Sequence, residues 1–158
     1  MSYTVCRMVK IVLDTNVLIN AGRGEGSYGK RILDLARSGQ VQPLISHPVR
    51  QENRLIIGQL VRDARLRQEL EDYLRLAQEV KPEISGVMLE DEEDYKLLDA
   101  AVGGGAQFLI TEDRHLLDVG EYEGVQIVTP SVWWQWWQRH QDDSGHTWAS
   151  WTKNILGK

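Results

Sequence analysis

The sequence holds a single cysteine, Cys6, so no disulfide can form within the chain, and a cytoplasmic setting fits. The four histidines, His47, His115, His140 and His146, show no zinc-site spacing. No apolar run exceeds a few residues, far below the roughly 20 that a membrane span requires. The first residues carry no apolar stretch of the signal-peptide kind. Positive charge is scarce: 18 Lys and Arg stand against 23 Asp and Glu, giving a net charge of −5 and a pI near 5.4. That balance argues against bulk electrostatic capture of nucleic acid. It leaves room for a local basic patch, or for an acidic site that works with a bound metal. Internal repeats, linkers and low-complexity segments are missing as well.

What is present is an ordinary globular composition, 42% hydrophobic and 26% charged over 158 residues, enough for one domain with a sizeable core. A second methionine, Met8, opens "MVKIVLDTN", so residues 1–8 are expected to be a short extension. The domain is expected over 9–137, with 138–158 as a C-terminal appendage of different character. Val9–Leu13 reads as a buried strand, followed by a short helix from Asn16 to Ala21. Ser27 is placed to cap a helix with Ile32, Leu33, Leu35 and Ala36 on its apolar side, and Gly39 stops it. "VQPLIS" (41–46) is a second strand, and Ser46 and Pro48 start the next helix, running to about Gly58. Leu66, Leu70, Tyr73, Leu74 and Ala77 share helical spacing within 60–80. "EVKPEIS" is a weak strand or an extended connector, and "LEDEEDYKLLDAAVGGG" a helix closed by glycines. "AQFLIT" (106–111) is a strand, "EDRHLLDVGEYEG" a turn and short helix, "VQIVTP" the last strand, and "PSVWWQWWQ" the start of a final helix. Strands alternating with helices predict an α/β fold, three layers with a mainly parallel sheet at the centre.

The acidic residues fall where such a fold places ligands. The first strand runs into Asp14 and the strand "FLIT" into Glu112 and Asp113. Ligands of open parallel sheets bind beyond the carboxyl ends of the strands, where strand order reverses. Glu52, about one turn into the helix after the second strand, and Asp94, in the first turn of a later helix, face the same edge if the sheet is so ordered. Each acid has an everyday alternative. Asp14 and Asp113 also suit helix caps or turns, Glu52 a solvated helix face, and "EDEED" a solubilising run. Together, four acids without a basic residue in the motif positions would repel one another. A hard divalent cation, Mg²⁺ or Mn²⁺, resolves this by taking oxygen ligands. It could activate water and stabilise charge on a phosphodiester.

The blocks "IVLDTNVLI", "LISHPVRQE", "DEEDYKLLDAA", "FLITEDRHLL" and "VTPSVWW", in this order, resemble the PIN-domain ribonucleases, including the VapC-type toxins of toxin–antitoxin pairs. The resemblance implies a PIN-like fold and a Mg²⁺- or Mn²⁺-dependent endoribonuclease acting on RNA. It carries the metal-binding, catalytic acids onto Asp14, Glu52, Asp94 and Asp113, and auxiliary polar roles onto Asn16 and Thr111. It also implies a homodimer or higher oligomer and an antitoxin protein covering the acidic site. Asn53 follows the second acid where the family more often has an apolar residue, and Asp91, Glu92 and Glu93 compete with Asp94 for the third position. Asp99 and Asp118 fit structural roles.

Two other functions compete. A phosphatase with an aspartyl nucleophile would need a second Asp two residues after the first, and Asn16 stands there. A PIN-like module without catalysis would bind but not cleave. For RNA contact the candidates are Arg50, Arg54, Arg62 and Arg65, with Arg67 beside them; the same arginines also suit an ordinary solvated face. In "VWWQWW", Val132, Trp133, Trp136 and Trp137 fall on one helical side and are expected in the core, with Trp134 nearer the opposite side. Trp148 and Trp151 imply that the tail folds back or joins an interface.

Overall fold

Three consecutive apolar residues can all be buried only in a strand covered on both faces. Ile11, Val12 and Leu13 meet that condition, none of them more than 3% exposed. They lie in β1 (Lys10–Leu13) of a computed structural model that describes residues 8–23, 26–84 and 92–142, with the side chains of 92–94 and 141–142 outside the description. β2 (Gln42–Ile45), β3 (Gln78–Glu79), β4 (Phe108–Ile110), β5 (Glu121–Tyr122) and β6 (Val125–Val128) complete a six-stranded sheet in the order β3-β2-β1-β4-β6-β5. All neighbours run parallel except β5 against β6. The expected α/β fold with a mainly parallel sheet is therefore observed. The sequence pattern did not reveal β5, because two residues leave no alternation to detect; Glu123 (φ 48°) and Gly124 (φ 83°) turn the chain tightly from β5 into β6.

Helices flank the sheet. α1 (Thr15–Asn20) follows β1 directly and continues as a 3₁₀ turn, Ala21–Arg23. α2 (Tyr28–Arg37) starts where Ser27 Oγ accepts from the Lys30 amide, and buries Ile32, Leu33, Leu35 and Ala36 as the spacing predicts. Gly39, at φ +80°, closes it with its amide on the Ala36 carbonyl. α3 (His47–Leu60) and α4 (Ala64–Leu76) divide at Asp63, whose carboxylate caps α4 through the Arg65 amide. α5 (Glu92–Gly104) lies on β1, β2 and β4. There the glycines of "VGGG" do more than end the helix. The Glu83 amide donates to the Asp99 carbonyl, and a Cβ on Gly103 would come within 2.0 Å of the Lys81 carbonyl oxygen. Only glycine lets the connector pass that close. α6 (Arg114–Val119) follows β4, and α7 (Pro130–Asp142) follows β6 and packs on α2.

A buried ion pair joins α2 to α4. Lys30 Nζ lies 2.6 Å from Glu69 and 2.7 Å from Asp34. Burial opposes the charge on Lys30, but the hydrogen bonds and charges of Asp34 and Glu69 outweigh it and raise its pKa. A raised lysine pKa stabilises the fold below 10.5, and that contribution is lost as pH climbs through the folded-state value.

The tryptophans of α7 mostly serve the core. Trp133, Trp136 and Trp137 are 0%, 6% and 7% exposed. Trp133 meets Phe108 of β4 edge-on at 6.3 Å and stacks on Trp137 at 5.4 Å. Trp134 is half-buried rather than turned to solvent, because α2 covers that side of α7; the Arg31 guanidinium lies 5.5 Å from its ring centre. Trp148 and Trp151 fall outside the described residues. Trp133→Ala is expected to destabilise the fold by about 3–5 kcal/mol, and Trp134→Ala by distinctly less, as measured by urea unfolding of the two variants beside the parent.

Candidate active site

β1 and β4 are neighbours, paired in register from Ile11↔Phe108 to Leu13↔Ile110. β2 lies on the other side of β1 and β6 on the other side of β4, so strand order reverses at this pair and the crevice of an open α/β sheet opens beyond it. The next residue on each strand continues the approach. The Asp14 amide donates to the Ile110 carbonyl at 3.0 Å, and the Thr111 amide to the Val128 carbonyl at 2.9 Å.

Asp14 is 8% exposed. Its Oδ1 accepts from the Asn16 amide at 3.1 Å and so caps α1. Its Oδ2 accepts from the Thr111 hydroxyl at 2.7 Å. Thr111, fully buried, uses the same oxygen to accept from the Asp113 amide at 2.9 Å. One hydroxyl thus ties the first acid to the backbone of the last. Asp113 repeats the capping device on α6, where its Oδ1 accepts from the His115 amide at 2.8 Å. Capping and ligand binding are compatible at both positions, since an ionised carboxylate has about four lone-pair sites. Asn16 reaches Asp14 through its main chain, and its side chain is exposed.

Glu52 lies on α3, one residue before the contact of that helix with α1, and does not form a close group with Asp14 and Asp113. Its neighbour Asn53 is 1% exposed and accepts from the Thr15 hydroxyl, binding α3 to the first turn of α1. A buried amide explains why this position is not apolar: it receives a hydroxyl from the residue after Asp14. Its own nitrogen has no partner among the described residues. Glu52 itself forms an ion pair with Lys96 of α5. This lysine was missed in the sequence. It lies two residues past Asp94, but 44 residues separate it from Glu52, and only the packing of two helices brings them together. The Asp94 backbone lies in α5; its side chain, like Asp91, falls outside the described residues.

The basic candidates divide. Arg50 is committed to the fold, with one guanidinium nitrogen 2.9 Å from Glu79 and another 2.7 Å from the Ala77 carbonyl. Arg67 closes the end of α3 on the Val61 carbonyl. Arg65 lies 3.4 Å from Glu69 and is exposed, as are Arg54 and Arg62.

A family model for the PIN domain matches residues 10–115, more than half of the 158-residue chain. The chain belongs to the PIN domain family. The matched span includes all four acids, ends inside "FLITEDRHLL" and stops before "VTPSVWW". Comparison with curated proteins and with solved structures finds no match. PIN domains are typically nucleases, and they typically bind Mg²⁺. No helix among the described residues is long and apolar enough to cross a membrane.

Asp14 and Asp113 offer the oxygen donors that a hard cation takes, but among the described residues no three His, Cys, Asp or Glu side chains group closely enough to hold a metal ion. Asp14 and Asp113 present carboxylates from adjacent strand ends, and each keeps oxygen lone pairs beyond those used in capping. Thr111 is the residue on which their relation depends. Thr111→Val keeps the shape and removes the hydroxyl, leaving a buried Asp14 oxygen and the Asp113 amide without that partner. It is expected to cost about 1–3 kcal/mol, while Thr111→Ser retains most of the stability. Thermal melts of the two variants check this.

Proposed function

We propose that this PIN domain is a Mg²⁺- or Mn²⁺-dependent endoribonuclease, with Asp14, Glu52, Asp94 and Asp113 as its metal-binding acids. The observation that carries the reading is the link Asp14–Thr111–Asp113 at the reversal of strand order. The Asn53–Thr15 bond, which fixes the helix carrying Glu52 to the first turn after Asp14, supports the reading. A divalent cation, when bound, supplies charge for a phosphodiester oxygen and lowers the pKa of water. The protein's part is orientation. Thr111 and the Asn16 amide fix both oxygens of Asp14, so the carboxylate need not reorganise to take a ligand. Lys96 pairs with Glu52 and would compete with a cation for that carboxylate. Exposed Arg54, Arg62 and Arg65 offer contacts to RNA phosphates.

The finer reading is a cytoplasmic toxin of a toxin–antitoxin pair, VapC-like, working as a homodimer or higher oligomer and silenced by an antitoxin protein that covers the acids. A small neighbouring gene coding for a DNA-binding protein would support it.

Asp14→Asn tests the metal role. An amide here can accept from the Asn16 N–H and donate to the Thr111 hydroxyl, whose own proton then loses its acceptor, and about 1 kcal/mol of stability should be lost. RNA cleavage should nevertheless fall to background at a temperature where the variant is fully folded, and chelation with EDTA should silence the parent. Cleavage by the variant at the parental rate, or parental activity that survives excess EDTA, would overturn the assignment. Hydrolysis of an aryl phosphate without RNA cleavage would favour the phosphatase instead.

A further inference from the structure

Beside Asp14 and Asp113, on the same sheet edge, lies a cleft of about 600 Å³ that neither of them lines. Its size is that of a site for one small molecule or one nucleotide. Its walls are continuous with the acidic site. Glu112 stands between Thr111 and Asp113, and Asn20 ends the helix that Asp14 caps. Ser131 belongs to the first turn after β6, the strand paired with β4.

The chemistry of the walls is sorted. Tyr28 contributes an aromatic ring that is 41% exposed although it begins a helix of the core. The Arg31 guanidinium lies 5.4 Å from its centre and 5.5 Å from the centre of the Trp134 ring. A partly exposed ring at the wall of a largely apolar cleft can serve as a stacking platform. Arg23, also exposed, adds a cation. Glu112 adds a carboxylate, which repels a phosphate but accepts from the N–H groups of a base. Asn20 and Ser131 supply further polar groups. One wall thus suits a base, one cation suits a backbone phosphate, and the acid limits which part of a nucleotide can lie near Asp113.

We propose that this cleft seats one unpaired nucleotide of the RNA beside the bond to be cut, its base against Tyr28 and its backbone toward Arg23. The proposal deepens the ribonuclease reading and rests on it. A base still in a duplex has no free face for Tyr28, so the site selects single strands or loops.

The test uses the full chain and a fluorescent, cleavage-resistant phosphorothioate RNA of a single-stranded sequence, with affinity read by anisotropy. Tyr28→Ala should weaken binding about 5- to 100-fold, while Tyr28→Phe binds as the parent does and both variants melt near the parental temperature. Abasic substitutions moved along the RNA should weaken binding to the parent at one position and leave binding to Tyr28→Ala unchanged there. Parental affinity in Tyr28→Ala, or the same abasic penalty in both proteins, would overturn the proposal while the ribonuclease reading stands. A parent that neither binds nor cleaves RNA would remove the ribonuclease reading first, and this proposal with it.

Discussion

The parallel pairing of β1 with β4 is the constraint from which the rest of the molecule follows. It sets the point where strand order reverses, and it brings two strand ends close enough for one threonine hydroxyl to serve both. Thr111 is fully buried, so its hydroxyl cannot exchange its partners for water. Sliding β4 by one residue would send Thr111 to the opposite face of the sheet and strand the Asp14 carboxylate. The hydrophobic register of the core and the arrangement of the acids are therefore one specification. Ile11, Val12, Leu109 and Ile110 enforce it from below, and the Asp14–Thr111–Asp113 chain closes it at the top.

The two acids at these strand ends show how little extra structure a polar edge needs. Asp14 and Asp113 each end a strand and start a helix of six residues, and each satisfies an amide that would otherwise be unpaired. A residue type chosen for ending a strand is also one that binds cations. This is why the everyday reading of each acid as a cap and the joint reading as a site do not compete: the same carboxylate oxygens serve a cap on one side and remain open on the other.

Much of this was legible in the chain. β1 and β4 announce themselves as short apolar runs ended by polar residues, and α2 by a cap, an apolar stripe and a stop at Gly39. The four acids could be ordered along the chain because each stands at the start or near the start of an element. What remained hidden is pairwise and distant. Lys96 meets Glu52, and Thr15 meets Asn53, through packing of helices that no local spacing encodes. The division between α3 and α4 was read near Gly58, a few residues early, because nothing before the cap at Asp63 breaks a helix, and Arg50 looks like any surface arginine until β3 brings Glu79 beside it. Trp134 was assigned by the geometry of one helix, and a second helix changed its surroundings.

The close passage of the connector over Gly103 ties two distant parts of the molecule into a single lever. Residue 94 stands nine positions earlier on the same helix, about 13 Å along its axis. The helix is pinned at its far end by a contact that admits no side chain, and by the bond from Glu83 to Asp99. A rotation of a few degrees about that fulcrum would shift the near end by an appreciable fraction of an ångström. That is the scale on which a ligand set for a small cation is either matched or spoiled. If Asp94 serves as a ligand, as proposed, position 103 bears on the metal site mechanically without touching it, because this close passage sets the aim of the helix that carries residue 94.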